Sequence, residues 1–297
     1  MPGALGRDDD IAVRSRLAGR RRGVALVAIG VLLLSPDGVF VRLLTVDDAT
    51  VIFYRGIAAV GYLVLLYLER GRITGRGLWR LGRAGLAVSC LSAAGNTCFV
   101  VSIRATTAAH ALLILAAAPI FTAVFSRAFT HEPVARRTWF ATAFVLVGVA
   151  GIFLAHPEPG QLKGDLVALA GSVILAALFV VIRRNPEIPM LPALTVGAVL
   201  TSVAAAPFAS PGTLTAPDVA IVASFGLVLL PASLALVTRG PRYLPAPQVS
   251  LLMLIETVLG PVWVWAALDE RPTPAVLLSG LVILAALASH ALAGADP

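Results

Sequence analysis

Charge is scarce in this sequence. Only 13% of its 297 residues are charged and 7% aromatic, while 58% are hydrophobic. Lysine is nearly missing: Lys163 stands alone against 22 arginines. A soluble chain of this size must wet most of its surface, and this composition leaves too few polar groups to do so. With a mean hydropathy of +0.91, lipid is the solvent it fits. The net charge of +7 does not make it a nucleic-acid binder, because the charges punctuate apolar runs instead of collecting on one face. Cysteine is scarce too. Cys90 and Cys98 share one apolar run, and about 12 Å of helical rise separates them, too far for a disulfide.

Chemical motifs are equally sparse. There is no GxxxxGK[ST] loop, no HExxH, no His or Cys ligand cluster and no Ser/His/Asp arrangement. ATP-driven transport, catalysis, a metal and a cofactor are therefore not expected. A membrane-embedded enzyme would also need larger loops. Residues 1–22 are polar and basic and lead into a run long enough to span, without a convincing cleavage site, so the first span should stay attached.

What is present is a series of apolar runs. A helix crossing a ~30 Å hydrocarbon core needs roughly 20 residues. Ten spans are expected, near 23–44, 50–69, 83–103, 107–128, 137–155, 164–183, 190–209, 219–238, 246–267 and 274–293. The break between spans 3 and 4 is the least distinct, since only Arg104-Ala-Thr-Thr interrupts it, and a single long segment is the alternative. With the N-terminus inside, 18 of the 23 basic residues fall in cytoplasmic segments. That bias places both termini in the cytoplasm and the chain in the cytoplasmic membrane.

The chain also repeats itself. Arg104–Glu132 aligns without gaps onto Arg242–Glu270, an offset of 138, and span 1 aligns onto span 6 with an offset of 141, matching Gly23 to Gly164 and Arg42 to Arg183. After a basic segment at 1–22, the domains are a first five-helix repeat at 23–155 and a second at 164–293. Five is odd, so the second copy enters from the opposite side. The fold class expected is an all-α polytopic membrane protein of ten helices in two inverted repeats, an architecture of many secondary transporters.

Particular residues carry a resemblance. Phe53-Tyr54-Arg55-Gly56 opens span 2, Ala108-Ala-His-Ala-Leu-Leu leads to Pro119 and Glu132, and Leu244-Pro-Ala-Pro-Gln-Val-Ser-Leu-Leu leads to Ile255-Glu256 and Glu270-Arg-Pro. Over about residues 23–293 the pattern resembles the drug/metabolite transporter superfamily, specifically its ten-helix EamA-type members. It departs from them at Glu256-Thr257, where the family often has Glu-Pro, and in span 1, where Ser35-Pro36-Asp37-Gly38 and Arg42 stand where many members carry a lysine. Fold and transport are implied by the resemblance; the substrate is not.

Ionisable groups inside a span each call for an explanation. The candidates for substrate binding or coupling are Asp37, Arg55, Asn96, His110 and Glu256. By helical rise, Asp37 and Arg55 lie about 10 and 7 Å from the outer ends of spans 1 and 2, where antiparallel helices could join them. They are either functional or a structural ion pair. Asn96 and His110 also fall in the outer halves of spans 3 and 4; the alternative for Asn96 is interhelical glue and for His110 an interfacial position. Glu256 sits mid-span with no sequence-near partner, as a group exchanging a proton with substrate would. Arg42 reads as an interfacial snorkelling side chain, and Trp263 and Trp265 either line the outer vestibule or anchor span 9 at the lipid interface. Pro36 and Gly38 should break span 1, because proline removes a backbone hydrogen bond.

The function expected is secondary active transport of a small organic metabolite or drug, outward, by alternating access, with the lipid bilayer, the substrate and protons as partners. The alternative is a non-transporting membrane scaffold or accessory subunit.

Overall fold

The computed structural model describes residues 5–70, 81–130 and 162–268, with isolated helical positions at 139–140, 143, 147, 274, 278, 281–282 and 285. Among the described residues every regular element is helical, and eight helices are long and apolar enough to cross a membrane. In the ten-span numbering these are span 1 (Leu17–Leu43), span 2 (Asp48–Glu69), span 3 (Gly82–Ala105), span 4 (His110–Thr130), span 6 (Leu162–Arg184), span 7 (Met190–Phe208), span 8 (Ala216–Arg242) and span 9 (Ala246–Leu268). The spans expected at 137–155 and 274–293 lie mostly outside the described residues.

Spans 3 and 4 are separate. The helix of span 3 ends at Ala105, and Thr107 caps the next, accepting a hydrogen bond from the His110 backbone N–H. Thr is a favoured cap because its hydroxyl satisfies an orphan N–H of the first turn. Span 1 contains a break of its own. One helix ends at Leu34 and another begins at Asp37, with Ser35 and Pro36 between them. Proline stands at breaks in spans 4 and 8 as well, whereas span 2 breaks at Gly56 and Ile57 without one. In span 4 a helix ends at Leu115 and restarts at Ala118, just before Pro119, and in span 8 a π-helical stretch, Val222–Leu229, precedes Pro231. A proline has no N–H and crowds the carbonyl four residues back, so the helix loosens on its N-terminal side.

The repeats are inverted. Spans 1 and 3 run the same way, since Arg104 at the end of span 3 donates to the carbonyls of Val41, Leu44 and Val46 at the end of span 1, at 3.2, 3.0 and 2.7 Å. Span 6 runs against span 3: Gly164 lies on Ala105 and Thr106, Gly171 on Cys98, and Gly95 on Ile174. Span 6 therefore runs opposite to span 1. The neighbours obey the same symmetry. Span 3 packs on span 6 and span 1 on span 8; span 1 packs on span 9 and span 6 on span 4; spans 2 and 7 pair, as do 4 and 9. Exchanging each span for the one five places away leaves these pairings unchanged.

In lipid, helices associate by close packing, not by expelling water, so small residues mark the contacts. Gly56 is the tightest case: a Cβ there would lie 1.7 Å from Ser202 Oγ and 2.8 Å from the Ala198 carbonyl. Only glycine lets spans 2 and 7 approach so closely. Leu34, Tyr62, Leu194, Phe225 and Leu230 fill one core between the repeats. Val60, Val64 and Leu68 instead form an exposed stripe along span 2, which suits an acyl-chain environment.

Candidate functional site

A cavity of ≈ 130 Å³ lies between the two halves, and all eight described spans contribute to its wall. Leu112, Leu115, Ile174, Leu194 and Leu254 make it largely apolar. Polar groups from both halves break this lining: Asp37, Arg55, Ser92 and Asn96 from the first, and Thr238, Ser250, Glu256 and Thr257 from the second. Asp37, Arg55, Asn96 and Glu256 all face it.

The break in span 1 places Asp37 in the first turn of a new helix, pointing inward and 2% exposed. Arg55 ends the first helical segment of span 2 just before Gly56. Its two guanidinium nitrogens donate to the two Asp37 carboxylate oxygens at 2.7 and 2.9 Å. Planar, two-point pairing of this kind fixes both partners as well as neutralising them. Arg55 also donates to Asn96 Oδ1 at 3.0 Å, and the Asn96 amide donates to the Ser92 carbonyl at 3.1 Å. The Phe99 ring lies 5.4 Å from the guanidinium carbon, within cation–π range. Ser92, Asn96 and Phe99 are spaced as one helix face, and that spacing is the signal in the sequence that could have grouped Ser92 and Phe99 with Asn96.

Glu256 completes the lining from span 9. It is 7% exposed and makes no hydrogen bond or ion pair among the described residues. Thr257 beside it donates to the Leu112 carbonyl at 3.4 Å, tying span 9 to span 4. Pro36 stands in the gap between the two helices of span 1, and Gly38 packs toward Ile103. Ser35, in the same gap, accepts from Trp263 Nε1 at 2.9 Å, so span 9 braces the break, whereas Trp265 is exposed. His110 is not brought to this cluster. It lies half-buried in the first turn of span 4, away from the cavity wall.

One end of the bundle is laced across the repeats. Asp218 accepts from the Thr45 N–H and hydroxyl at 3.0 and 2.9 Å, the Ser210 N–H donates to Thr50 Oγ1 at 2.7 Å, and Tyr54 donates to the Pro211 carbonyl at 2.7 Å. Thr215 caps the same helix and shares the Asp218 carboxylate. At this end Asp47 caps span 2, and bonds from the Thr50 hydroxyl and N–H hold its carboxyl below the ordinary value. Arg42, read from the sequence as snorkelling to the interface, donates inward to the Thr106 carbonyl at 2.7 Å. The bonds between repeats tie the two halves together at the end where spans 1 and 3 finish.

The EamA-like transporter family matches this chain twice, over residues 21–154 and 162–290. The two matches bracket the two repeats. Among solved structures, one titled "Crystal structure of protein" is similar with a TM-score of 0.69 at 19% identity, covering 91% of this chain and 97% of its own. At that identity the likeness is one of fold. Comparison with curated proteins finds no match. With both repeats matched and the helical bundle in place, the chain belongs to the EamA-like transporter family, within the drug/metabolite transporter superfamily.

Proposed function

We propose that the chain is a secondary active transporter that exports a small organic metabolite or drug across the cytoplasmic membrane by alternating access. In this reading both termini are cytoplasmic, and the end laced by Thr45, Asp218 and Tyr54 faces outward. The substrate occupies the cavity between the repeats. The Asp37–Arg55–Asn96 chain forms a fixed polar wall, and Glu256 is the group whose charge state changes during the cycle.

The observation that carries the reading is Glu256: a carboxylate in the cavity wall with no hydrogen bond or salt bridge of its own among the described residues. An intramembrane carboxylate facing a cavity is costly unless a ligand or a proton meets it. Its neighbours differ in this respect, because Asp37 is already matched by Arg55. Inverted halves around one central site supply two equivalent gates, as alternating access requires.

The test is transport by Glu256→Gln in proteoliposomes over a range of pH. The reading expects the variant to lose acceleration by a proton gradient. Wild-type rates with a wild-type pH profile would remove Glu256 from the coupling step.

A further inference from the structure

The inverted repeat provides an internal control for its own arginines. Arg104 and Arg242 are counterparts in the sequence alignment of the halves. They also do the same thing at opposite ends of the bundle. Arg104 donates to the carbonyl of Val46, just before span 2, and Arg242 donates to that of Ile188, just before span 7. The surroundings then differ. In the first half the residues that follow are Asp47 and Asp48, and Asp48 pairs with Arg104. In the second half they are Pro189 and Met190. Arg242 has no carboxylate partner among the described residues.

A second cavity, ≈ 350 Å³, sits where that carboxylate is missing. It is lined by Arg22, Glu69, Pro189, Met190, Arg239 and Arg242, among others. Glu69 pairs with Arg239, and Arg22 lies over the Tyr243 ring at 5.6 Å. Among the described residues three guanidiniums thus meet one carboxylate, a formal excess of two positive charges. The cavity lies at the end of span 2, where Leu66 and Glu69 contribute to its wall.

We propose that this cavity is a binding site for a phosphate group, supplied by an anionic phospholipid headgroup or by a soluble phosphate ester. Guanidiniums suit phosphate because their planar donor forks match its oxygens. Basic pockets between helices at a membrane surface are suited to anionic headgroups. The phosphate stands in for the carboxylate that Asp48 provides at the other end.

The experiment measures binding of short-chain phosphatidylglycerol, short-chain phosphatidylcholine and inorganic phosphate to the purified full chain in neutral detergent. Two variants are compared with wild type. Arg242→Gln removes a cation. Pro189→Asp adds a negative charge at the N-cap of span 7, one residue before Met190, the counterpart of Asp48, and Asp is a favoured residue there, so it keeps the test valid if Arg242→Gln fails to fold. Wild type should prefer phosphatidylglycerol over phosphatidylcholine, and each variant should weaken that binding by roughly fivefold, the scale of one interfacial charge. Competition by inorganic phosphate alone, without phosphatidylglycerol binding, supports the site with a soluble ester as its source. Equal binding of the two lipids with none of phosphate, or wild-type affinity in Pro189→Asp, would overturn the proposal.

Discussion

Arg55 grips Asp37 through both ends of its guanidinium, across the gap that Ser35 and Pro36 open in span 1. Both side chains are at least nine-tenths buried. Removing one partner leaves the other charge stranded, at about 3–5 kcal/mol, whereas removing both together costs far less. Arg55→Leu should therefore lower the unfolding temperature in detergent more than the double variant Asp37→Leu/Arg55→Leu does. Additive losses in the double variant would show that the pair is not coupled.

The seam between spans 2 and 7 is equally specific. A methyl at Gly56 collides with Ser202, and overpacking of this kind costs about 1–3 kcal/mol. Gly56→Ala should be destabilised by that amount, and Ser202→Ala should recover part of it. The recovery should be incomplete, because the Ala198 carbonyl also lies in the way and Ser202 loses its bond to the Phe53 carbonyl.

Asp218 ties the repeats together at the Arg104 end by accepting two bonds from Thr45 in the other repeat. Asp218→Ala should loosen that end. In a background with Cys90 and Cys98 replaced by serine, Ser92→Cys should react faster with a membrane-impermeant maleimide added on that side of the membrane. An unchanged rate would mean that the other cross-repeat bonds hold that end together.

How much of this was legible in the sequence depended on what spacing encodes. Apolar runs gave the eight described spans, because lipid demands a full run of apolar residues whatever the neighbours are. The Asp37–Arg55 approach was legible as well, since helical rise fixes depth and consecutive helices are antiparallel. His110 and Asn96 both fall in the outer halves of their spans, but Asn96 stands nine residues from the Ala105 end of span 3 and His110 only two from the Ala108 start of its helix. His110 therefore lies about 10 Å nearer the end of the bundle and off the cavity wall. The inward bond of Arg42 to Thr106 and the grip of Arg104 on three carbonyls arise from packing between helices distant in sequence. Asp218 reads as a loop residue until the inverted repeat sets it against Thr45. The two-repeat alignment placed Arg104 opposite Arg242, but only the folded chain shows that one meets a carboxylate and the other a cavity.

The most direct test of the account is counterflow in proteoliposomes loaded in turn with members of a broad panel of unlabelled small organic metabolites and drugs, with the same labelled compound outside. The account predicts saturable exchange of at least one compound, which Glu256→Gln alters and which an outward-directed gradient of that compound drives without ATP. No exchange with any member of the panel, by protein that remains folded and monodisperse, would contradict it.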